Sequence, residues 1–197
     1  MTMPRRPVVL VVDLLEDFFI QPPLSEMRAE LVAATRELTA WARGQGHPVV
    51  WVRQEFEPDL SDAFLSMRRT GRRVTIRGTL GCRLLAELEP QPEDHEIIKR
   101  RYSAFWATGL ADLLAELGGT HLILGGVNTH ACIRTTAVDA YQRDWPVILA
   151  TDLIRSYDAE FHRESLRYLI QSIGEPMDNA AIARHFAEGG SSRCPGG

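Results

Sequence analysis

An aspartate, a lysine and a cysteine each follow an apolar run in this chain, and together they could carry out nucleophilic acyl transfer. Cys132 comes after Leu122-Ile123-Leu124, a Gly125-Gly126 break and the polar turn Val127-Asn128-Thr129-His130; Ala131 onward reads as a helix. A thiol in the first turn of a helix lies among unpaired backbone N–H groups, which favour thiolate over thiol and can hold an oxyanion. The N–H donors from Asn128 to Cys132 are the candidate oxyanion hole. Asp13 closes the run Val8-Val9-Leu10-Val11-Val12 and can serve as a base once desolvated at the end of a buried strand, where its pKa would rise. Lys99 closes Glu96-Ile97-Ile98 and supplies a positive charge that favours both the carboxylate and the thiolate. Of the 22 basic residues Lys99 is the only lysine; every other is arginine. Taken singly, each residue has an ordinary reading: a small core hydrophobe for Cys132, a loop cap for Asp13, surface solvation for Lys99. Their shared position at strand ends favours a common site.

The elements that must position them read as an alternation of strands and helices. Continuous β-branched runs at residues 8–12, 49–52, 96–99, 122–124 and 146–150 fit strands buried on both faces of a parallel sheet. A short sixth strand is expected near Glu175–Met177. Helices are expected from Ser25, as N-cap, to Arg43, and then over 60–68, 110–117, 131–143, 159–170 and 179–186. Such an alternation predicts a three-layer α/β/α, doubly wound fold. Its sites form beyond the carboxyl ends of the strands, near the point where the strand order reverses. Residues 56–93, rich in loops and glycine, have no readable period. An insertion of that length usually builds a binding site or a subunit contact. One domain is expected over 1–188, with a flexible tail over 189–197 that includes Cys194.

The formal charge of −4 gives no reason to expect nucleic acid as a partner. Arg68, Arg69, Arg72, Arg73 and Arg77 form a local basic cluster, read first as a solvated helix end and second as a contact for an anionic substrate or partner. No apolar stretch approaches the roughly 18 residues of a membrane span, and no signal peptide is expected at Met1–Arg6. Cys82, Cys132 and Cys194 are odd in number and widely spaced, which argues for a reducing cytoplasm and against a disulfide framework or a zinc site.

Three longer stretches carry a resemblance. VVDLLEDFF around Asp13, IIKRRYSAF around Lys99 and GGVNTHACIRTTAVDAYQRDW around Cys132 resemble the aspartate, lysine and cysteine motifs of the isochorismatase-like cysteine hydrolases. That family includes nicotinamidases, N-carbamoylsarcosine amidohydrolase and ureidoacrylate hydrolases. The resemblance implies a catalytic triad of Asp13, Lys99 and Cys132, and a six-stranded parallel sheet in the order 3-2-1-4-5-6. It also implies a cis peptide between Val127 and Asn128 that turns the Asn128 N–H towards the oxyanion, a small-molecule substrate, and a homo-oligomer (dimer or tetramer). Nicotinamidases carry an Asp-x-His metal pattern after the second strand. Arg53-Gln54-Glu55-Phe56 stands there in this chain, so neither metal nor cofactor is expected. Leu15 replaces a frequent family glutamine. True isochorismatases lack the cysteine, so an amide or carbamoyl (ureido) bond is the expected target. Phe18, Tyr102, Phe105 and Trp106 are expected to wall the pocket; Gln54, Arg134 and Tyr157 are candidates for polar substrate contacts. His130 is read as a turn or pocket-rim residue, too close in sequence to Cys132 to form a dyad with it. The rival readings are a hydrolase of a non-amide bond and a non-catalytic binding or assembly member of the fold.

Overall fold

A computed structural model describes residues 5–187; the tail expected over 189–197, with Cys194, lies outside the described residues. One sheet is built from β1 (Pro7–Val12), β2 (Val49–Gln54), β3 (His95–Lys99), β4 (His121–Val127), β5 (Val147–Arg155) and β6 (Gly174–Met177). All pairings are parallel and the order is β3-β2-β1-β4-β5-β6. Around it pack α1 (Leu24–Gly44), α3 (Leu110–Glu116), α4 (Arg134–Tyr141), α5 (Ala159–Ser172) and α6 (Asn179–Ala187), while α2 (Leu65–Thr70) belongs to the insertion. No helix among the described residues is long and apolar enough to cross a membrane.

The period of two along β1 divides the layers. Val9 and Val11 face the core shared with Leu31 and Leu38 of α1 and Ile182 of α6. Val8, Leu10 and Val12 face Leu110 and Leu114 of α3, Ala137 of α4 and Leu169 of α5. Both faces are therefore apolar, which is why these strands show no polar alternation.

Sequence and structure differ at several boundaries, each for a local reason. Ser25 does not cap α1. The helix starts at Leu24 behind the cis Pro22–Pro23 bond, with Pro23 at the cap position; proline has no N–H to leave unpaired there. The helix expected over 60–68 begins only at Leu65, because Leu60 sits in the left-handed region at φ 62°. β5 does not end at Thr151-Asp152. It bulges there, and pairing with β4 resumes at Gly126 opposite Ile154. Asp152 in the bulge accepts the Asn179 N–H at 2.9 Å, capping α6.

Residues 56–85 form a cover with a small core of its own, Phe56, Leu60, Ala63, Met67 and Ile76. Asp17, just after β1, ties this cover down: its Oδ2 accepts the Thr75 N–H at 2.6 Å. A Cβ on Gly81 would lie 2.2 Å from the Asp17 carboxylate, so glycine allows that close approach.

Gly126 makes the tighter demand. It sits at φ +126°, and a Cβ there would lie 2.0 Å from the Val12 carbonyl oxygen. Gly126→Ala should therefore push β4 away from β1 next to Asp13. The expected cost is about 3 kcal/mol or more, from backbone strain and overpacking together. Thermal unfolding followed by circular dichroism checks this, and a wild-type Tm would refute the close packing.

Candidate active site

The register of the sheet brings the strand ends together. Val12 pairs with Val52 on one side and Gly126 on the other, and Gln54 pairs with Lys99. Asp13, one residue beyond β1, is in the left-handed region at φ 58°, and its N–H donates to Val52 O at 2.8 Å. Its carboxylate accepts the Gln54 N–H through Oδ1 at 2.8 Å. Lys99 ends β3, on the far side of β2, and its side chain reaches back across β2 to Asp13. Lys99 Nζ lies 2.6 Å from Asp13 Oδ2, 3.3 Å from Cys132 Sγ and 3.2 Å from Arg101 O. The ammonium thus donates to a thiol and a carbonyl and ion-pairs with a carboxylate. Asp13 and Lys99 are wholly buried, and Cys132 nearly so. These three residues, sharing only an address in the sequence, are in contact.

Electrostatics at the site run against the helix-start expectation. Burial would lower the pKa of the Lys99 ammonium, but Asp13 and Cys132 outweigh it and hold that pKa above its ordinary value. Burial and then the Asp13 carboxylate push the Cys132 thiol up to about 12, and Lys99 offsets only part of this. Burial and the Asp13 carboxylate thus favour the thiol, against the thiolate that its place in the chain suggested. The local backbone differs too: Thr129–Ile133 form a π-helical turn ahead of α4.

The Val127–Asn128 bond is cis, as the resemblance implied. Asn128 O accepts from Ala131 N at 3.0 Å and Ile133 N at 3.2 Å, so those two amides are occupied. The Asn128 N–H has no acceptor among the described residues.

Cys132 opens onto a cavity of about 380 Å³. Four of the expected substrate contacts line it: Phe18, Gln54, Tyr102 and Tyr157. Gln54 is buried, and its Nε2 has no partner among the described residues. Phe105, Trp106 and Arg134 do not line the cavity. Phe105 is buried in the helix layer under the Arg143 guanidinium, Trp106 is exposed and stacked with Arg101, and Arg134 lies over Tyr168. His130 lines the cavity, bonded through Nδ1 to Ser156 Oγ at 2.8 Å and packed edge-on against Tyr157. Burial holds its imidazolium below the usual range. The cover adds Phe64, Ser66, Met67, Arg72 and Val74, none of which was singled out as a pocket residue in the sequence. The basic cluster around Arg72 was the one available signal.

At the nicotinamidase metal position the residues do not fit a cation. Arg53, still within β2, opens that stretch and is paired with Glu55 at 3.1 Å and Glu96 at 2.7 Å. Among the described residues no three of His, Cys, Asp and Glu converge as ligands.

The structure thus defines a class: doubly wound, all-parallel three-layer α/β proteins with a buried cysteine, lysine and aspartate at the switch point of the sheet. Residues 7–181 match the isochorismatase domain, and the chain belongs to that family, whose members are hydrolases that include amidases. It is 32% identical over 170 residues to an Arabidopsis thaliana protein named a probable inactive nicotinamidase, covering 82% of this chain and 87% of that one. It is 31% identical to the phenazine biosynthesis protein PhzD1 of Pseudomonas aeruginosa, over 84% of this chain and 79% of the relative. The solved N-carbamoylsarcosine amidase of Thermoplasma acidophilum superposes with a TM-score of 0.75 at 25% identity, covering 88% and 96% of the two chains.

Proposed function

We propose that this protein is a metal-free cysteine hydrolase that cleaves the C–N bond of a small amide or ureide through a thioester. The observation that carries this reading is the Lys99 ammonium held between Asp13 Oδ2 and Cys132 Sγ at the cavity floor. With its pKa near 12, the thiol needs a base at the moment of attack, and Asp13 is the carboxylate within the cluster. Asp13 takes the thiol proton as sulfur attacks the substrate carbonyl. The Asn128 and Cys132 N–H groups then hold the oxyanion. On collapse, Asp13 returns the proton to the departing ammonia or amine, leaving a thioester on Cys132. Asp13 next deprotonates a water that attacks the thioester, and the acid departs as sulfur is reprotonated. Lys99 stays charged throughout and keeps Asp13 and Cys132 in register. The unpartnered Gln54 Nε2 donates to a substrate acceptor, while Phe18, Tyr102 and Tyr157 pack against its body. The Arg53 pairs at the nicotinamidase metal position support a reaction without a metal.

A panel of primary amides and ureides, assayed for ammonia, tests the reading. At least one member should turn over, and Cys132→Ala should reduce ammonia release to background while Tm stays close to wild type. Turnover that survives in Cys132→Ala would remove the thioester route. Hydrolysis of other bonds with no amide cleaved would move the protein to the non-amide branch.

A further inference from the structure

Three consecutive residues of the turn before Cys132 are each bonded through their side chains to the chain at and just beyond the end of β5. Asn128 Oδ1 accepts the Tyr157 N–H at 3.2 Å, Thr129 Oγ1 lies 2.9 Å from Arg155 O, and His130 Nδ1 lies 2.8 Å from Ser156 Oγ. Thr129, wholly buried, makes a further contact: His162 Nδ1 of α5 is 2.7 Å from the same Oγ1. The two bonds at Thr129 fix where the protons are. Arg155 O is a carbonyl and only accepts, so the single hydroxyl proton of Thr129 points at it. Towards His162 the hydroxyl oxygen is left as an acceptor, and His162 Nδ1 must donate. Burial and the Arg155 guanidinium hold the His162 imidazolium below its usual range. At neutral pH the ring therefore has one N–H, and Nδ1 carries it. The result is a one-way chain, from His162 Nδ1–H to Thr129 Oγ1–H to Arg155 O, with an unprotonated Nε2 at its far end.

We propose that His162 is a positioning residue for the reaction: it pins Thr129, and through Thr129 the neighbouring Asn128 N–H that receives the oxyanion. This rests on the oxyanion role given to Asn128 above. His162 is not among the residues that line the cavity, so it acts through Thr129 rather than on the substrate. A donor to an oxyanion works best when it is held where the charge develops, so that nothing has to reorganise as the bond breaks. With Arg155 O alone, the Thr129 side chain is tied at one point and can pivot about that bond. The His162 N–H makes a second tie, from a different element of the fold.

Nitrogen-15 NMR of the histidine rings at neutral pH tests the proton chain without any substrate, with the His162 signals identified by their loss in His162→Asn. Nδ1 should be protonated and Nε2 bare. A protonated Nε2, alone or mixed with the other form, would overturn the proposal. The hold on the turn is read by hydrogen exchange over residues 128–134. His162→Phe keeps a ring without a donor and should speed exchange there by about fivefold, near the worth of one ordinary hydrogen bond, with β1 and β2 unchanged. His162→Asn places an amide N–H close to where Nδ1 stood and should exchange as the wild type does. On any amide or ureide that the protein cleaves, His162→Phe should lower kcat by about tenfold or more with KM within about twofold. A displaced oxyanion donor loses less than the roughly 10²–10³-fold of one removed, and ground-state contacts are untouched. His162→Asn should keep most of kcat. Unchanged exchange, unchanged kcat or a rise in KM alone in His162→Phe would overturn the positioning role, as would an asparagine variant no better than the phenylalanine one. Should His162→Phe not fold, His162→Ala takes its place in both measurements. If no amide or ureide is cleaved, a protonated Nδ1 with faster exchange in His162→Phe upholds the anchor on the turn, and the amide reading falls by itself.

Discussion

Asp13→Asn should abolish turnover and, at the same time, make Cys132 easier to alkylate. The first effect follows from losing the proton carrier, and general acid–base catalysis typically supplies about 10²–10⁴-fold in rate. The second follows from the sign of the local field. In the wild type, burial and the Asp13 carboxylate both raise the Cys132 pKa, against the pull of Lys99. Asparagine keeps the shape but removes the negative charge, so the pKa of the thiol must fall. With the wild-type thiol near 12, its alkylation by iodoacetamide should be slow at pH 7 and keep climbing beyond pH 10 without a plateau. The Asn variant should react faster at pH 7 while releasing no ammonia. A variant that loses both reactivity and turnover would mean that Asp13 is needed to form the thiolate even for a small alkylating agent. A variant with most of its turnover would take Asp13 out of the reaction.

Lys99→Met should cost the fold as well as the activity. The ammonium is wholly buried beside a wholly buried carboxylate, and removing one partner strands the other. Breaking such a pair costs roughly 3–5 kcal/mol, a large share of the roughly 5–15 kcal/mol that holds a domain together. For a chain of this length that is a fall in Tm of roughly 6–20 °C. Lys99→Arg should also be inactive, because a planar fork cannot meet a carboxylate, a thiol and a carbonyl from the point that Nζ occupies. Adding Asp13→Asn to Lys99→Met removes the stranded charge and should recover more than half of the lost stability with no recovery of turnover. The dependence on pH has a fixed sign. The Lys99 pKa is raised in the folded state, so the stability that comes from charging Lys99 is fully present below the ordinary lysine value of about 10.4 and is lost as pH rises through the higher folded value. A Lys99→Met protein with wild-type Tm would show that the pair contributes nothing net to stability.

The sheet and the cluster at its strand ends were legible because buried parallel strands announce themselves. Val8–Val12 and Leu122–Leu124 are apolar on both faces, and the first polar residue after such a run marks the strand end. The protonation of Cys132 was not legible. Position in a helix can be read from residue order, but the depth of burial that outweighs the backbone amides depends on what packs above it. Residues 100–109 contain the right aromatics without a period to orient them, so Phe105 turned into the helix layer and Trp106 towards solvent. Arg134, two positions beyond Cys132, follows the rotation of its helix onto Tyr168. The cover was illegible for a related reason. Contacts such as Asp17 with Thr75 span 58 residues and have no local signature, so Phe64, Met67, Arg72 and Val74 could not be placed.

The cover's private core has a further meaning. Phe56, Leu60, Ala63, Met67 and Ile76 pack chiefly with one another, whereas the residues under Asp13 and Lys99 belong to the sheet. The cover therefore supplies one cohesive part of the chamber wall, while Phe18, Gln54, Tyr102 and Tyr157 line the chamber from outside it. A residue such as Val74 or Met67 can change size and reshape the chamber without altering the spacing of Asp13, Lys99 and Cys132. Under the proposed function, the cover is an interchangeable wall beside a fixed cluster, so the range of substrates can shift while Asp13, Lys99 and Cys132 keep their spacing.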